Sequence, residues 1–156
     1  MKRLLAVLPL LGGLLLTACG QPAAPAAPVV AARFDVVETG SPEMQAALRE
    51  GRVTSRELTA RYLERIATYE DRLNAIITVN PRALDDAEAM DRERAAGRVR
   101  GPLHGIPIAL KDNIHTTDMP TTGGALAFRD LIPPYDATLT KNLRDGGAVI
   151  IAKTVL

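Results

Sequence analysis

The sequence predicts an α/β fold, because short apolar segments typical of strands alternate with helical segments along the second half of the chain. Residues 75–79, 106–110 and 148–152 are the strand candidates, since each is short and rich in Ile, Val or Ala. Segments with helix capping signals precede and separate them. The chain has 156 residues, of which 47% are hydrophobic and 24% charged, which is ordinary for one small globular domain.

Four helices are predicted from capping residues and from terminal glycines. Serines 41 and 55 both lie where a helix cap is expected, and Thr54 to Glu57 has the form of a capping box. Leu58, Tyr62, Ile66 and Tyr69 recur at helical spacing and should form one buried face. The predicted helices are residues 41–50, 55–70, 81–96 and 136–145. Between the second and third strands, residues 114–136 are rich in Thr, Pro and Gly and predict a long, functional loop.

The N-terminal segment is typical of an exported protein. Residues 1–18 combine a Lys-Arg head with an apolar run that is too short for the roughly 20 residues of a transmembrane helix, which predicts a signal peptide. Leu16 to Cys19 resembles a bacterial lipobox, in which the cysteine is lipidated and becomes the mature N-terminus. The alternative is an ordinary cleavage site beside an incidental thiol. Residues 19–33 then form a Pro/Ala-rich linker, and residues 34–156 form the folded domain.

Charge and cysteine content exclude several classes of partner and site. The chain has 19 Lys and Arg against 18 Asp and Glu, so its electrostatic field is too weak to favour binding to nucleic acid or to an anionic membrane surface. The single cysteine excludes an internal disulfide and a multi-cysteine metal site. His104 and His115 have no second ligand at zinc spacing. We therefore expect no metal and no cofactor, and a lipid anchor as the link to the cell envelope membrane.

Lys111 is the residue that most suggests chemistry. It follows the predicted strand 106–110, and functional sites in α/β folds gather at the carboxyl ends of strands. A lysine desolvated there can lose its proton near neutral pH and act as a base. A solvated lysine in a turn is the alternative. Asp112 and Asn113 are expected to shape the turn and to hydrogen-bond the strand ends.

Four segments resemble the amidase signature family in order and spacing. Gly-Pro-Leu-His-Gly-Ile-Pro-Ile-Ala-Leu-Lys-Asp-Asn-Ile at 101–114 is a long and specific motif. It is followed by Pro-Thr-Thr-Gly-Gly at 120–124, Asp-Ala-Thr-Leu at 136–139 and Gly-Gly-Ala-Val-Ile-Ile-Ala-Lys-Thr at 146–154. The resemblance runs from about Ser41 to the end. It implies the N-terminal part of a mixed β-sheet flanked by helices, incomplete in this chain because residue 156 directly follows the last strand.

The resemblance also implies a mechanism and site residues. In this family a lysine, here Lys111, is the base toward a serine in a cis peptide, which activates a nucleophilic serine. Both serines would lie downstream of Thr154, and Ser41 and Ser55 lack the glycine-rich flanks of an oxyanion hole. His104 and Lys153 are expected to be structural. A weaker expectation is that the substrate lies against Thr121, Thr122, Gly123 and Gly124.

The resulting hypothesis is a lipid-anchored amidase of the cell envelope that hydrolyses a small-molecule carboxamide to an acid and ammonia or an amine. Its rival is a catalytically inactive truncated fragment, or a surface lipoprotein with only a binding role. The corresponding component of an amidotransferase that acts on charged tRNA shares the motifs, but an exported lipoprotein would not meet tRNA.

Overall fold

A computed structural model describes residues 33–155 of the chain. The predicted signal peptide, Cys19 and almost all of the predicted linker lie outside these residues. No helix within residues 33–155 is long and apolar enough to cross a membrane. The elements in chain order are helix α1 (Ser41–Arg49), helix α2 (Ser55–Leu73), strand β1 (Ile76–Val79), helix α3 (Ala83–Ala95), strand β2 (Pro107–Lys111), a 3-10 turn (Leu126–Phe128), helix α4 (Thr138–Asp145) and strand β3 (Val149–Thr154).

The three strands form one mixed sheet in the order β1-β3-β2. β3 is central, antiparallel to β1 and parallel to β2. Its residues from Val149 to Lys153 are all buried. Pro107 is the first residue of β2, which pairs with β3 alone within the described chain, so its missing N–H breaks no ladder there. The expected α/β architecture with a mixed sheet is therefore confirmed.

A bulge interrupts the pairing of β3 with β2. Ile108 pairs with Ile150, but the next pair is Ala109 with Ala152, so Ile151 is an extra residue in β3. Because side chains alternate along a strand, one extra residue moves all later side chains to the opposite face. Ile151 and Ala152 consequently share one apolar cluster, and Lys153 lies on the face of Ile150.

Helices and loops cover the two faces of the sheet. On one face, α3 packs on β3 through Ala87 and Met90, and Leu63 and Ile66 of α2 complete the cluster. On the other, Ile150 packs against Leu110 of β2 and against Met119 from the loop that follows β2. A third cluster joins α1 and α2 to the start of β2, with these buried residues: Val36, Met44, Ala47, Leu48, Val53, Leu58 and Ile106.

Helix starts differ from the sequence prediction in detail. The cap of α1 is Gly40, and Ser41 is the first helical residue, so the prediction of a cap at Ser41 is wrong. The capping box of α2 is confirmed, with Thr54 as its cap, and Ser55 is likewise the first helical residue. In both helices the residue before the serine has the extended conformation of a cap, which places the serine one position inside the helix.

The end of α2 also differs from the prediction. The helix continues to Leu73, where Asn74 terminates it in the left-handed conformation. Tyr69 is 43% exposed and lies against the Arg65 guanidinium at 5.4 Å, so the predicted buried face ends at Ile66.

Candidate active site

Lys111 is the last residue of β2, and its side chain is exposed. Its amine forms no hydrogen bond or ion pair with residues 33–155. Its backbone carbonyl accepts a hydrogen bond from Ile114 N at 3.0 Å, which closes the turn that follows the strand. The sequence analysis considers a desolvated lysine at this strand end. The described chain leaves this lysine open to solvent, with its backbone fixed.

Asp112, the next residue, is completely buried. Its backbone N–H donates to Thr154 O at 2.9 Å and so continues the pairing with β3. One carboxylate oxygen, Oδ2, accepts hydrogen bonds from the backbone N–H of Thr122 at 2.9 Å and from the Thr122 hydroxyl. The Asp112 carbonyl accepts from Gly123 N at 3.3 Å. The predicted role of Asp112 in shaping the turn extends to anchoring a second loop.

Lys153, whose neighbour across the ladder of β3 and β2 is Leu110, is also completely buried. Its Nζ lies 3.3 Å from Asp112 Oδ1. The same amine donates to Thr121 Oγ1 at 2.9 Å and to Pro120 O at 3.2 Å. Burial lowers the pKa of Lys153, and the hydrogen bond and charge of Asp112 oppose this shift without cancelling it. The buried, perturbed lysine of this region is therefore Lys153.

The loop residues 120–124 lie beside an open cavity of about 310 Å³. Thr121, Thr122 and Gly123 line it, together with Asn113, His115, Ala125, Phe128 and Leu131. Gly124 is not among its lining residues. A larger cavity of about 540 Å³ lies between α1 and the residues that follow α3, and none of the predicted site residues lines it. Three of the four predicted loop residues therefore line the smaller cavity, whereas Lys111 is not among its lining residues.

The other candidate residues have structural contacts. His104 is fully buried, with Nε2 3.0 Å from Met90 O, as expected for a structural histidine. His115 packs against the Tyr135 ring at 5.1 Å between centroids. The Ser55 hydroxyl donates to Gly105 O at 2.8 Å. Across residues 33–155, no group of three or more His, Cys, Asp or Glu side chains is placed to hold a metal ion.

The link between Lys153 and the loop is not predicted from the sequence, which gives Lys153 a structural role and names no partner for it. A lysine inside an otherwise apolar strand was the available signal, because such a charge requires a buried counter-charge. The partner could not be named, since the bulge that turns Lys153 toward Asp112 has no marker in the sequence.

Comparison with known proteins identifies the chain's relatives. The family model described as Amidase matches residues 57–156. A glutamyl-tRNA(Gln) amidotransferase subunit from Thermobifida fusca is 42% identical over 123 residues, covering 78% of this chain and 25% of that protein.

Solved structures agree with this result. The native peptide amidase of Stenotrophomonas maltophilia superposes with a TM-score of 0.73 at 48% identity, covering 75% of this chain and 24% of that one. An amidase family protein from Bacillus anthracis superposes with a TM-score of 0.72 at 35% identity, covering 76% and 24%. This chain thus spans about a quarter of the length of these relatives. By sequence match and by fold, the chain belongs to the amidase signature family.

Proposed function

We propose that this chain supplies the lysine half of a carboxamide hydrolase, with Lys111 as the base. The observation that carries the proposal is the position of Lys111, which ends a strand within the family motif and immediately precedes a carboxylate that anchors a loop beside a cavity. An exposed amine on a fixed backbone is accessible to further groups of the site.

The proposed reaction needs two serines from beyond residue 156, as the family resemblance implies. Lys111 takes a proton from the first serine, which takes one from the second. The second serine oxygen attacks the amide carbonyl, the proton held by Lys111 returns through the first serine to the amide nitrogen, and the C–N bond breaks to release ammonia or an amine. Water then attacks the ester by the same route and releases the carboxylic acid. No step requires a metal or a cofactor.

The neighbours named above guide the choice of test substrates. Structures at 48% identity are those of peptide amidases, so peptide carboxamides belong in the substrate panel beside simple amides. The amidotransferase likeness would bring charged tRNA as a rival partner. The proposed export of the chain argues against it, because an envelope protein is separated from tRNA.

Ammonia release tests the proposal. We expect a protein extended by the downstream reading frame to release ammonia from at least one amide in the panel, and the 156-residue chain to release none. Activity in the shorter chain would contradict the proposed position of the nucleophile. Absence of activity in a folded extended protein, over the whole panel, would favour the rival hypothesis of a binding lipoprotein or inactive fragment.

We also propose that Cys19 carries a lipid that tethers the domain to the cell envelope. Several acyl chains together hold a protein on a membrane, at about 0.8 kcal/mol per buried CH₂. Labelled palmitate should enter the parent protein, and Cys19→Ala should release it into the soluble fraction. Failure of the parent protein to take up labelled palmitate, together with unchanged localisation of the Cys19→Ala variant, would refute the lipid anchor.

A further inference from the structure

The buried ion pair of Asp112 and Lys153 takes part in no step of the proposed reaction. Asp112 is nevertheless the sequence neighbour of Lys111, the proposed base. Both side chains are fully buried. Burying two charges is costly, and a pair of similar apolar residues is often at least as stabilising. Stability alone is therefore a weak explanation for the pair. Its contacts indicate a different role.

The two charges contact three consecutive residues of one loop. Lys153 Nζ donates to Pro120 O at 3.2 Å and Thr121 Oγ1 at 2.9 Å, and Asp112 Oδ2 accepts from both the amide and the hydroxyl of Thr122. The Asp112 carbonyl then accepts from Gly123 N at 3.3 Å. Asp112 is covalently attached to Lys111. The loop is thus fastened to the residue next to Lys111 through both main chain and side chain.

The bulge in β3 is what makes the pair possible. Without the extra residue at Ile151, Lys153 would lie on the face of β3 that packs against α3. With it, the amine faces Asp112 and the loop. Bulges that redirect a side chain are frequent next to functional sites. The bulge in β3 and the buried ion pair therefore both contribute to holding the loop beside Asp112.

We propose that Asp112 and Lys153 are positioning residues, whose buried pair holds residues 120–124 in one fixed geometry relative to Lys111. The catalytic consequence rests on the proposed function, since it takes Lys111 as the base and this loop as part of the substrate site. The positioning of the loop by the ion pair is independent of the proposed function. Neither side chain reaches the solvent-open cavity, so both act through the loop.

The first test is amide hydrogen exchange in the 156-residue chain. The variant Asp112→Asn with Lys153→Met removes both charges at similar volume, which avoids leaving one charge unpaired. We expect the variant to unfold cooperatively, while the amides of Thr122 and Gly123 exchange about tenfold faster or more. Lys141→Met is the matched control, because its exposed ion pair with Asp145 lies away from this loop. If the Thr122 and Gly123 amides of the folded double variant exchange as slowly as those of the parent, the proposal is wrong.

A second pair of variants decides the question if the double variant fails to fold. Thr122→Val keeps the shape but removes the hydroxyl that binds Asp112, and Thr122→Ser keeps that hydroxyl. We expect exchange at Gly123 to rise in the valine variant and to stay near the parent rate in the serine variant. Equal exchange in the valine and serine variants would overturn the proposal.

The catalytic consequence is measured in the extended protein. We expect kcat to fall about tenfold or more in the double variant and in Thr122→Val, because small misplacements of reacting groups are costly. Lys141→Met, which removes only an exposed ion pair, should remain within about twofold of the parent. Parent-like kcat in both impaired variants would overturn the catalytic part. If the extended parent has no activity, the proposed function fails, whereas the exchange result still decides whether the pair positions the loop.

Discussion

Gly147 lies directly against His104. A Cβ atom on Gly147 would be 2.6 Å from the His104 Nδ1 atom and 3.1 Å from its Cα. The Gly105 N–H also donates to Gly147 O at 2.8 Å, and His104 Nε2 lies 3.0 Å from Met90 O. The loop before β2, helix α3 and the turn before β3 therefore meet at one histidine ring. The family motif around His104 builds the junction that sets β2 beside β3.

Replacing Gly147 by alanine should destabilise the domain strongly. The residue has a φ of +81°, which costs about 1–2 kcal/mol for alanine, and the clash with the buried ring adds roughly 1–3 kcal/mol. Gly97→Ala is the control, because its φ is +73° but no atom lies within 4 Å of its Cβ position. Urea unfolding should show a clearly larger loss for Gly147→Ala. Equal losses would mean that the contact with His104 contributes nothing.

Asp91 should stabilise the start of α2. Its two carboxylate oxygens accept from Ser55 N at 2.7 Å and from Arg56 N at 3.0 Å. These first-turn amides have no partner inside the helix, and a negative charge at a helix N-terminus is favourable. We expect Asp91→Ala to lower the free energy of unfolding by about 1–3 kcal/mol.

Glu88→Ala on the same helix is the control for Asp91. Its carboxylate forms exposed ion pairs with Arg92 and Arg56, so its loss should cost no more than about 1 kcal/mol. Both variants can be compared by urea unfolding at neutral pH. A loss for Asp91→Ala no larger than that for Glu88→Ala would show that the α2 amides are satisfied equally well by water.

Lys111→Ala in the extended protein should lower kcat by about 100-fold or more, because general-base contributions are typically of that size. In the 156-residue chain, where the Lys111 side chain is exposed and little packing is lost with it, thermal unfolding of the same variant should be unchanged. Lys141→Ala, also on the surface, is the control. Turnover within about threefold of the parent would refute the base role.

The sequence predicts the order of elements well because their signals are local. Capping at Thr54, the proline at the start of β2 and the glycines after α4 each act within a few residues, and the structure places elements there. Errors occur where a tertiary contact decides. Tyr69 continues the helical periodicity, but its ring lies against Arg65 at the surface instead of in a buried cluster.

The site is predicted less completely for the same reason. The motif correctly brings Lys111 and the 120–124 loop to one end of the sheet. The connection between them is a pair of charges more than 40 positions apart, made possible by an extra residue in β3. Its apolar neighbours give no indication of that register shift. Sequence can locate such a site without revealing what holds it in place.

The pH dependence of stability should reveal the buried state of Lys153. Burial lowers its pKa below the ordinary 10.5. Between the lowered value and 10.5, the unfolded chain binds more protons at this lysine than the folded chain does. The contribution of this group to the free energy of unfolding therefore rises with pH through that window.

The comparison that isolates this contribution is the parent against the double variant Asp112→Asn with Lys153→Met, which leaves no buried charge unpaired, by urea unfolding at several pH values from neutral to 10.5. We expect the parent to gain stability relative to the double variant as pH rises. Lys141→Met, which removes an exposed lysine paired with Asp145, should show no such difference from the parent. No relative gain of the parent over this range would instead mean that Asp112 holds the folded-state pKa of Lys153 at or above its ordinary value, because the folded and unfolded chains would then bind nearly equal numbers of protons at this lysine below 10.5.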